Sequence, residues 1–330
     1  MDLSSQNSNK ILHLSASVLI RLLSVPFLVY IAQQLLNFPT FKLELIVAIT
    51  LYAIALSYWS KLWMIILPTL LPVLDLTPWS GRILITEFDL FVLSSIAISL
   101  LFNRFNFTFL KTCGAIKWII LLLIISYSIS TIIGYISLKN IHTTSFYLYL
   151  TEFNSLRVAK GFFAALFFLP ILAYEKNKGT PIAKTLSVGI VLGLVLTIIS
   201  IIWERLIFPG FFDFSNTYRI SGLFSGMLLG GTMVDGYLLL AFPFFFTLFY
   251  SFNKPWLNLL GIIIFTFGLY SILVTFTRTN YLAVSIVILI LVLGTIGGLL
   301  LGAAPGLSPT MAVALLIPFT FKMSPEQGLI

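Results

Sequence analysis

Stretches of about twenty apolar residues recur along the chain, as in "WIILLLIISYSISTIIGYIS" at 118–137. Nothing else in the sequence limits the fold so strongly. A helix of that length crosses roughly 30 Å of hydrocarbon. Backbone groups inside a bilayer find no water, so only helices and closed barrels can span it. Barrel strands alternate apolar and polar residues over short segments, and these runs do not alternate. Composition agrees. Hydrophobic residues make up 59% of the 330 and charged ones 9%, against about 25% charged in soluble domains. The expectation is an all-α, polytopic transmembrane helical bundle.

Ten main spans are predicted at about 12–34, 44–59, 62–77, 89–102, 117–137, 158–174, 185–203, 234–252, 256–276 and 280–301, with an eleventh, incomplete, from about 310. Pro68 and Pro72 predict a kink in the short 62–77 span. No internal repeat and no linker between soluble domains is visible. The start, "MDLSSQNSNK", lacks the basic opening and cleavage site of a signal peptide, so the first span is expected to stay as an anchor.

Lys and Arg divide almost evenly between the two sides, but they cluster. Arg104, Lys111 and Lys117 share one connection, and Lys176, Lys178 and Lys184 share another. By the positive-inside rule these connections are cytoplasmic, and so is the N-terminus. The acids Glu87, Asp89, Glu152, Glu204, Asp213 and Asp235 then fall on the outer side.

The net charge is +8, but the lysines are scattered and form no basic run, so no nucleic-acid partner is expected. The single Cys113 excludes an internal disulfide and a cysteine-based metal cluster, and His13 and His142 form no ligand motif. No metal and no cofactor is expected.

The candidate site lies on the outer face. Arg278 sits in the apolar stretch "LVTFTRTNYLAVSIVILILVLG" (273–294), at a very short turn between two spans. The outer loop 204–233 brings Arg205, Asp213 and Arg219 to the same side, and Asp235 follows it. Guanidiniums at a partly dehydrated cleft suit phosphate or pyrophosphate, since each is a planar, permanently charged fork of donors. Two readings of Arg278 and Arg219 stand side by side. They clamp an anionic head group as catalytic residues, with Asp235 pairing to an arginine or taking a proton from an acceptor hydroxyl. Alternatively they snorkel or pair with Asp235 and Asp213. Arg205, Gly230, Gly231 and Tyr281 are the expected substrate-binding residues.

The segment "SGLFSGMLLGGTMVDGY" (221–237) holds five glycines. It reads either as a broken, ligand-approaching helix or as close packing through small residues. The stretch 138–157, with Phe146, Tyr147, Tyr149 and Phe153, reads as an interfacial aromatic belt or as a stacking surface for sugar rings.

Two resemblances follow. "RISGLFS", the glycine-rich turn, "DGYLLLAFPFFFTLFY" and "TFTRTNYLAV" resemble the O-antigen ligase and polymerase family of bacterial envelope glycosyltransferases. Thr277-Arg278-Thr279 stands where that family shows an "SRG" pattern, and "GRILITEFDLFVL" (81–93) fits the same many-helix layout. The resemblance covers about 1–293. It implies metal-independent transfer or polymerisation of a lipid-linked pyrophosphate saccharide onto a lipid or saccharide acceptor, at the outer face of the bacterial inner membrane. The family also carries a further outer loop with cations and a histidine. No histidine follows His142 here, so an impaired activity is expected.

The stretch 294–330, with "PGLSPT" and then "LLIPFTF", resembles the opening of the large membrane subunit of tripartite tricarboxylate transporters. Pro305, Gly306 and Pro309 break a helix, while Ser308 and Thr310 offer hydroxyls to a carboxylate or ion. This resemblance implies the alternative function, a carboxylate transporter subunit working with a periplasmic solute-binding protein. The joined resemblances imply a chimera or truncation, with a ligase-like part over 1–293 and a transporter-like part over 294–330.

Overall fold

The structure is a computed structural model and describes residues 18, 21–39, 41–74, 76, 80, 84–106, 114, 116–139, 154–215, 218, 220, 222, 232–246, 255–282, 284–286, 288–289 and 292–293. Among these, every regular element is helical, and the fold is an all-α membrane type. The chain divides into two units, Met1–Phe276 and Thr277–Ile330.

The first unit runs α1 (Ser24–Leu36), α2 (Lys42–Tyr58), α3 (Trp63–Leu70), α4 (Glu87–Leu101), α5 (Ile116–Lys139), α6 (Asn154–Asn177), α7 (Ile182–Ile207), α8 (Thr232–Ala241) and α9 (Pro255–Leu273). One 3₁₀ turn, Ser60–Leu62, leads into α3, and another, Phe242–Phe245, follows α8. Four stretches are long and apolar enough to cross a membrane: Lys117–Ile136 within α5, and all of α6, α7 and α9. Shorter apolar helices occupy the places of several other predicted spans.

One of those spans is cut short for a local reason. Leu71 still has helical backbone angles and donates to the Leu67 carbonyl, but Pro72 has no N–H to give the Pro68 carbonyl four residues back, so α3 stops at Leu70. In the predicted 234–252 span the α-helix gives way after Ala241 to a 3₁₀ turn holding Pro243, and Phe246 is helical again; 247–252 lie outside the described residues.

Helices α6 and α7 run a few residues past both of their predicted ends. Arg157 Nε donates to Asn154 Oδ1 at 2.9 Å. Lys160 Nζ pairs with the Asp89 carboxylate and donates to the Leu84 carbonyl at 3.1 Å. In α4, "TEFD" (86–89) forms a capping box: Thr86 Oγ1 accepts from Asp89 N at 3.4 Å, and Thr86 N donates to Asp89 Oδ2 at 2.7 Å.

The core of this unit gathers Leu56, Met64, Leu90, Ala97 and Ile171 from four helices. Around it Trp63 meets Phe168 at 4.7 Å between ring centres, and Tyr52 and Ser95 share a 2.7 Å hydrogen bond. Helix α3 lies along α7, α1 and α2 lie on α4, and α5 lies on α6.

The α3–α7 contact is the tightest. Gly189 and Gly193 stand one turn apart on α7. A Cβ on Gly189 would lie 2.7 Å from the Ile65 carbonyl oxygen and 2.8 Å from that of Met64. A Cβ on Gly193 would lie 2.6 Å from the Pro68 carbonyl oxygen. Pro68 has no N–H to give the Met64 carbonyl four residues back, and that carbonyl is one of the two beside Gly189. Thr69 Oγ1 bridges the helices, reaching the Ile65 carbonyl at 2.7 Å and the Gly189 carbonyl at 3.1 Å.

The connections expected on one side do meet at one end. Arg104 sends its two terminal nitrogens to the Leu56 and Ser57 carbonyls at 2.7 and 2.6 Å, closing the last turn of α2. Asn106 N donates to the Pro170 carbonyl at 3.0 Å, and Lys178 Nζ to Ser60 Oγ at 3.2 Å. Burial lowers the Arg104 pKa, with Tyr174 and Glu175 acting in the opposite direction. At the other end Leu76 N donates to Glu87 Oε2 at 3.3 Å, near the Lys160–Asp89 pair.

In the second unit, residues 278–282 are helical, as are 284–286, 288–289 and 292–293.

Candidate functional site

Of the described site residues of the first unit, Arg205 lies at the C-terminal end of α7 and Asp235 at the start of α8. The buried face of this helix repeats as Leu194, Thr197, Ile198, Ile201, Glu204 and Arg205. Arg205 and Glu204 therefore belong to the last turn of the helix. The sequence reading placed both in an outer loop, because charges in an apolar run mark the end of a span. Here the helical period carries them into the interior instead.

Glu204 organises the loop that follows. Its Oε1 accepts from the Tyr218 hydroxyl at 3.1 Å and its Oε2 from Gly222 N at 2.5 Å. Gly222 takes φ +61, a left-handed conformation that suits glycine. Burial raises the Tyr218 pKa, and the negative charge of Glu204 and its hydrogen bond raise it further.

Arg205 is fully buried. Its Nη2 donates to the Asp213 carbonyl. Its Nε and Nη1 have no hydrogen-bond partner. The guanidinium carbon stands 5.9 Å from the centre of the Phe214 ring, within cation–π range. Asp213 closes its own turn by accepting from Ser215 N at 2.9 Å.

Asp235 lies half-buried in the first turn of α8, where a negative charge opposes the positive end of the helix dipole. Arg219, Gly230 and Gly231 lie outside the described residues, as do Pro305, Gly306, Ser308, Pro309, Thr310, Cys113 and most of the aromatic stretch 138–157. Most of the glycine-rich segment 221–237 lies there too, up to the start of α8.

Within the second unit, Arg278 is exposed and begins a helical stretch, and Tyr281 is half-buried with its N donating to the Thr277 carbonyl at 3.3 Å. Just before it, Phe276 ends the first unit in a left-handed conformation, φ 53, which a bulky side chain rarely adopts. The short turn expected beside Arg278 is therefore at 274–277, and the arginine heads the helix after it.

Among known families, the model of the tripartite tricarboxylate transporter TctA family matches residues 288–330. No curated protein and no solved structure matches the chain. These comparisons lend no support to the O-antigen ligase resemblance over 1–293. They support the transporter resemblance, and the match begins six residues before the stretch on which it was read.

Proposed function

We propose that this chain serves in the membrane transport of carboxylate anions, with 288–330 as its transporter-type segment. The reading rests on the TctA family match over those residues. The chemistry of the segment supports it. Pro305, Gly306 and Pro309 interrupt an apolar run, and Ser308 and Thr310 follow the first break. An interrupted helix leaves unpaired N–H groups and a positive dipole end, and both attract a carboxylate. The four long apolar stretches provide a membrane setting. In this reading the chain sits in a bacterial inner membrane and receives its cargo from a periplasmic solute-binding protein.

The test is uptake of radiolabelled citrate by cells without tricarboxylate uptake of their own. The full chain is expressed with and without a tricarboxylate-type binding protein. Uptake is expected with the intact sequence and at least a tenfold loss in a P305A/P309A double variant. Absence of uptake under both conditions, or equal uptake by the double variant, would overturn the proposal.

A further inference from the structure

We propose that the C-terminal end of α7 is a binding site for an oxyanion, a carboxylate or a phosphate, held by Arg205. The inference is independent of the transport reading, since it rests on the unit Met1–Phe276 and that reading rests on 288–330.

Arginine carries five N–H donors and stays charged at any ordinary pH. The Arg205 side chain is wholly buried, Nη2 donates to the Asp213 carbonyl, and Nε and Nη1 donate to nothing. The nearest acid in sequence, Glu204, is already occupied. Both of its oxygens accept from the following loop, from Tyr218 and from Gly222. Among the described residues, the contacts of the guanidinium are the Asp213 carbonyl and the Phe214 ring, and no carboxylate pairs with it.

A buried charge with so little compensation is strongly unfavourable even after relaxation. The negative end of the α7 dipole offsets only part of that. A bound oxyanion supplies both missing elements, a countercharge and acceptors for Nε and Nη1. The planar guanidinium is the side chain best shaped for such a group. Access is short: Phe214, whose ring stands over the guanidinium, is itself 51% exposed.

The other buried ionisable groups with an unmet atom are weaker candidates. Glu87 Oε1 and Glu175 Oε1 also lack partners, but the second oxygen of each accepts a hydrogen bond, from Leu76 N and the Thr180 hydroxyl. A carboxyl can take a proton and become neutral, and a guanidinium cannot lose one in this range. Among the described residues, the unmet donors of Arg205 are the ones that call for an external anion.

The experiment uses the full chain purified in a non-ionic detergent, titrated separately with citrate, with inorganic phosphate and with micelles doped with phosphatidylglycerol against phosphatidylcholine. Binding is read by calorimetry and by the thermal midpoint. The expected result is saturable binding and a rising midpoint for at least one probe, with Kd weakened at least tenfold in R205Q. A response to citrate alone identifies a carboxylate site. A response to phosphate alone identifies a free-phosphate site, and a response to phosphatidylglycerol alone a lipid head group. Should R205Q fail to give a monodisperse protein, R205K decides. It keeps the charge but loses the fork, and is expected to bind several-fold more weakly than wild type. No saturable binding of any probe to the wild type, or an unchanged Kd in the variant, would sink the proposal.

Discussion

At the scale of single residues, the end of α7 shows how two adjacent charges acquire opposite roles. Glu204 ties down its loop, and Arg205 keeps two donors unengaged. Replacing Tyr218 by Phe removes one of the bonds to Glu204 and is expected to lower stability by about 1 kcal/mol. It also carries a pH signature. The folded Tyr218 has a pKa raised above the ordinary phenol value of about 10. A raised pKa means that the neutral phenol is favoured by folding. Its contribution is complete below about pH 10 and is lost as the pH climbs through the folded value. The thermal midpoint followed from pH 8 to 11 should therefore fall more steeply above pH 10 in the wild type than in Y218F. Parallel curves would show that the Glu204–Tyr218 contact does not stabilise the fold. Arg205 was expected in the outer loop, and its burial in the last turn of α7 was not read from the sequence. The signal was present: Leu194, Thr197, Ile198 and Ile201 keep a helical period that next falls on Glu204 and Arg205.

At the scale of the helices, the α3–α7 seam depends on two residues without side chains. The atoms that a Cβ would meet at Gly189 and Gly193 include backbone carbonyl oxygens at 2.6 to 2.8 Å, which cannot rotate away. Gly189→Ala and Gly193→Ala are each expected to cost about 1–3 kcal/mol through overpacking. Gly161, on α6, has nothing within 4 Å of its notional Cβ, so Gly161→Ala should be neutral or stabilise by about 0.5–1 kcal/mol. Unfolding in mixed micelles measures all three, and a Gly193→Ala protein as stable as Gly161→Ala would refute the seam. The sequence made the apolar runs plain, because a run near twenty residues has few other uses. It was less informative about ends. Helix α6 starts at Asn154 rather than at 158, and its first turns are held by Arg157 on Asn154 and by Lys160 on Asp89 and the Leu84 carbonyl, 71 and 76 residues earlier. No local pattern announces a partner that distant. The early stop of α3 was written locally, in Leu71-Pro72, and the capping box of α4 in "TEFD".

At the scale of the molecule, the pairing of ends gives a test of sidedness. Segments read as cytoplasmic from clustered lysines meet at one end through Arg104, Asn106 and Lys178. Lys176 is exposed near that end, and Phe212, 82% exposed, follows the far end of α7. With Cys113 replaced by Ser, a Phe212→Cys protein should react with a membrane-impermeant maleimide in intact cells. Lys176→Cys should react only after permeabilisation. The reverse pattern would invert the topology. The site at 305–310 and the residues around Arg219 were read from motif alone and lie outside the described residues. One further property belongs to α5. Among the described residues of Lys117–Ile136 none is buried, and the helix touches α6 through the Tyr127–Phe162 ring stack at 4.1 Å. The angle at which such a segment crosses the bilayer is set by its single packed side, where Gly134 comes close to Ser155 of α6, and by the Lys117–Trp118 pair at its start.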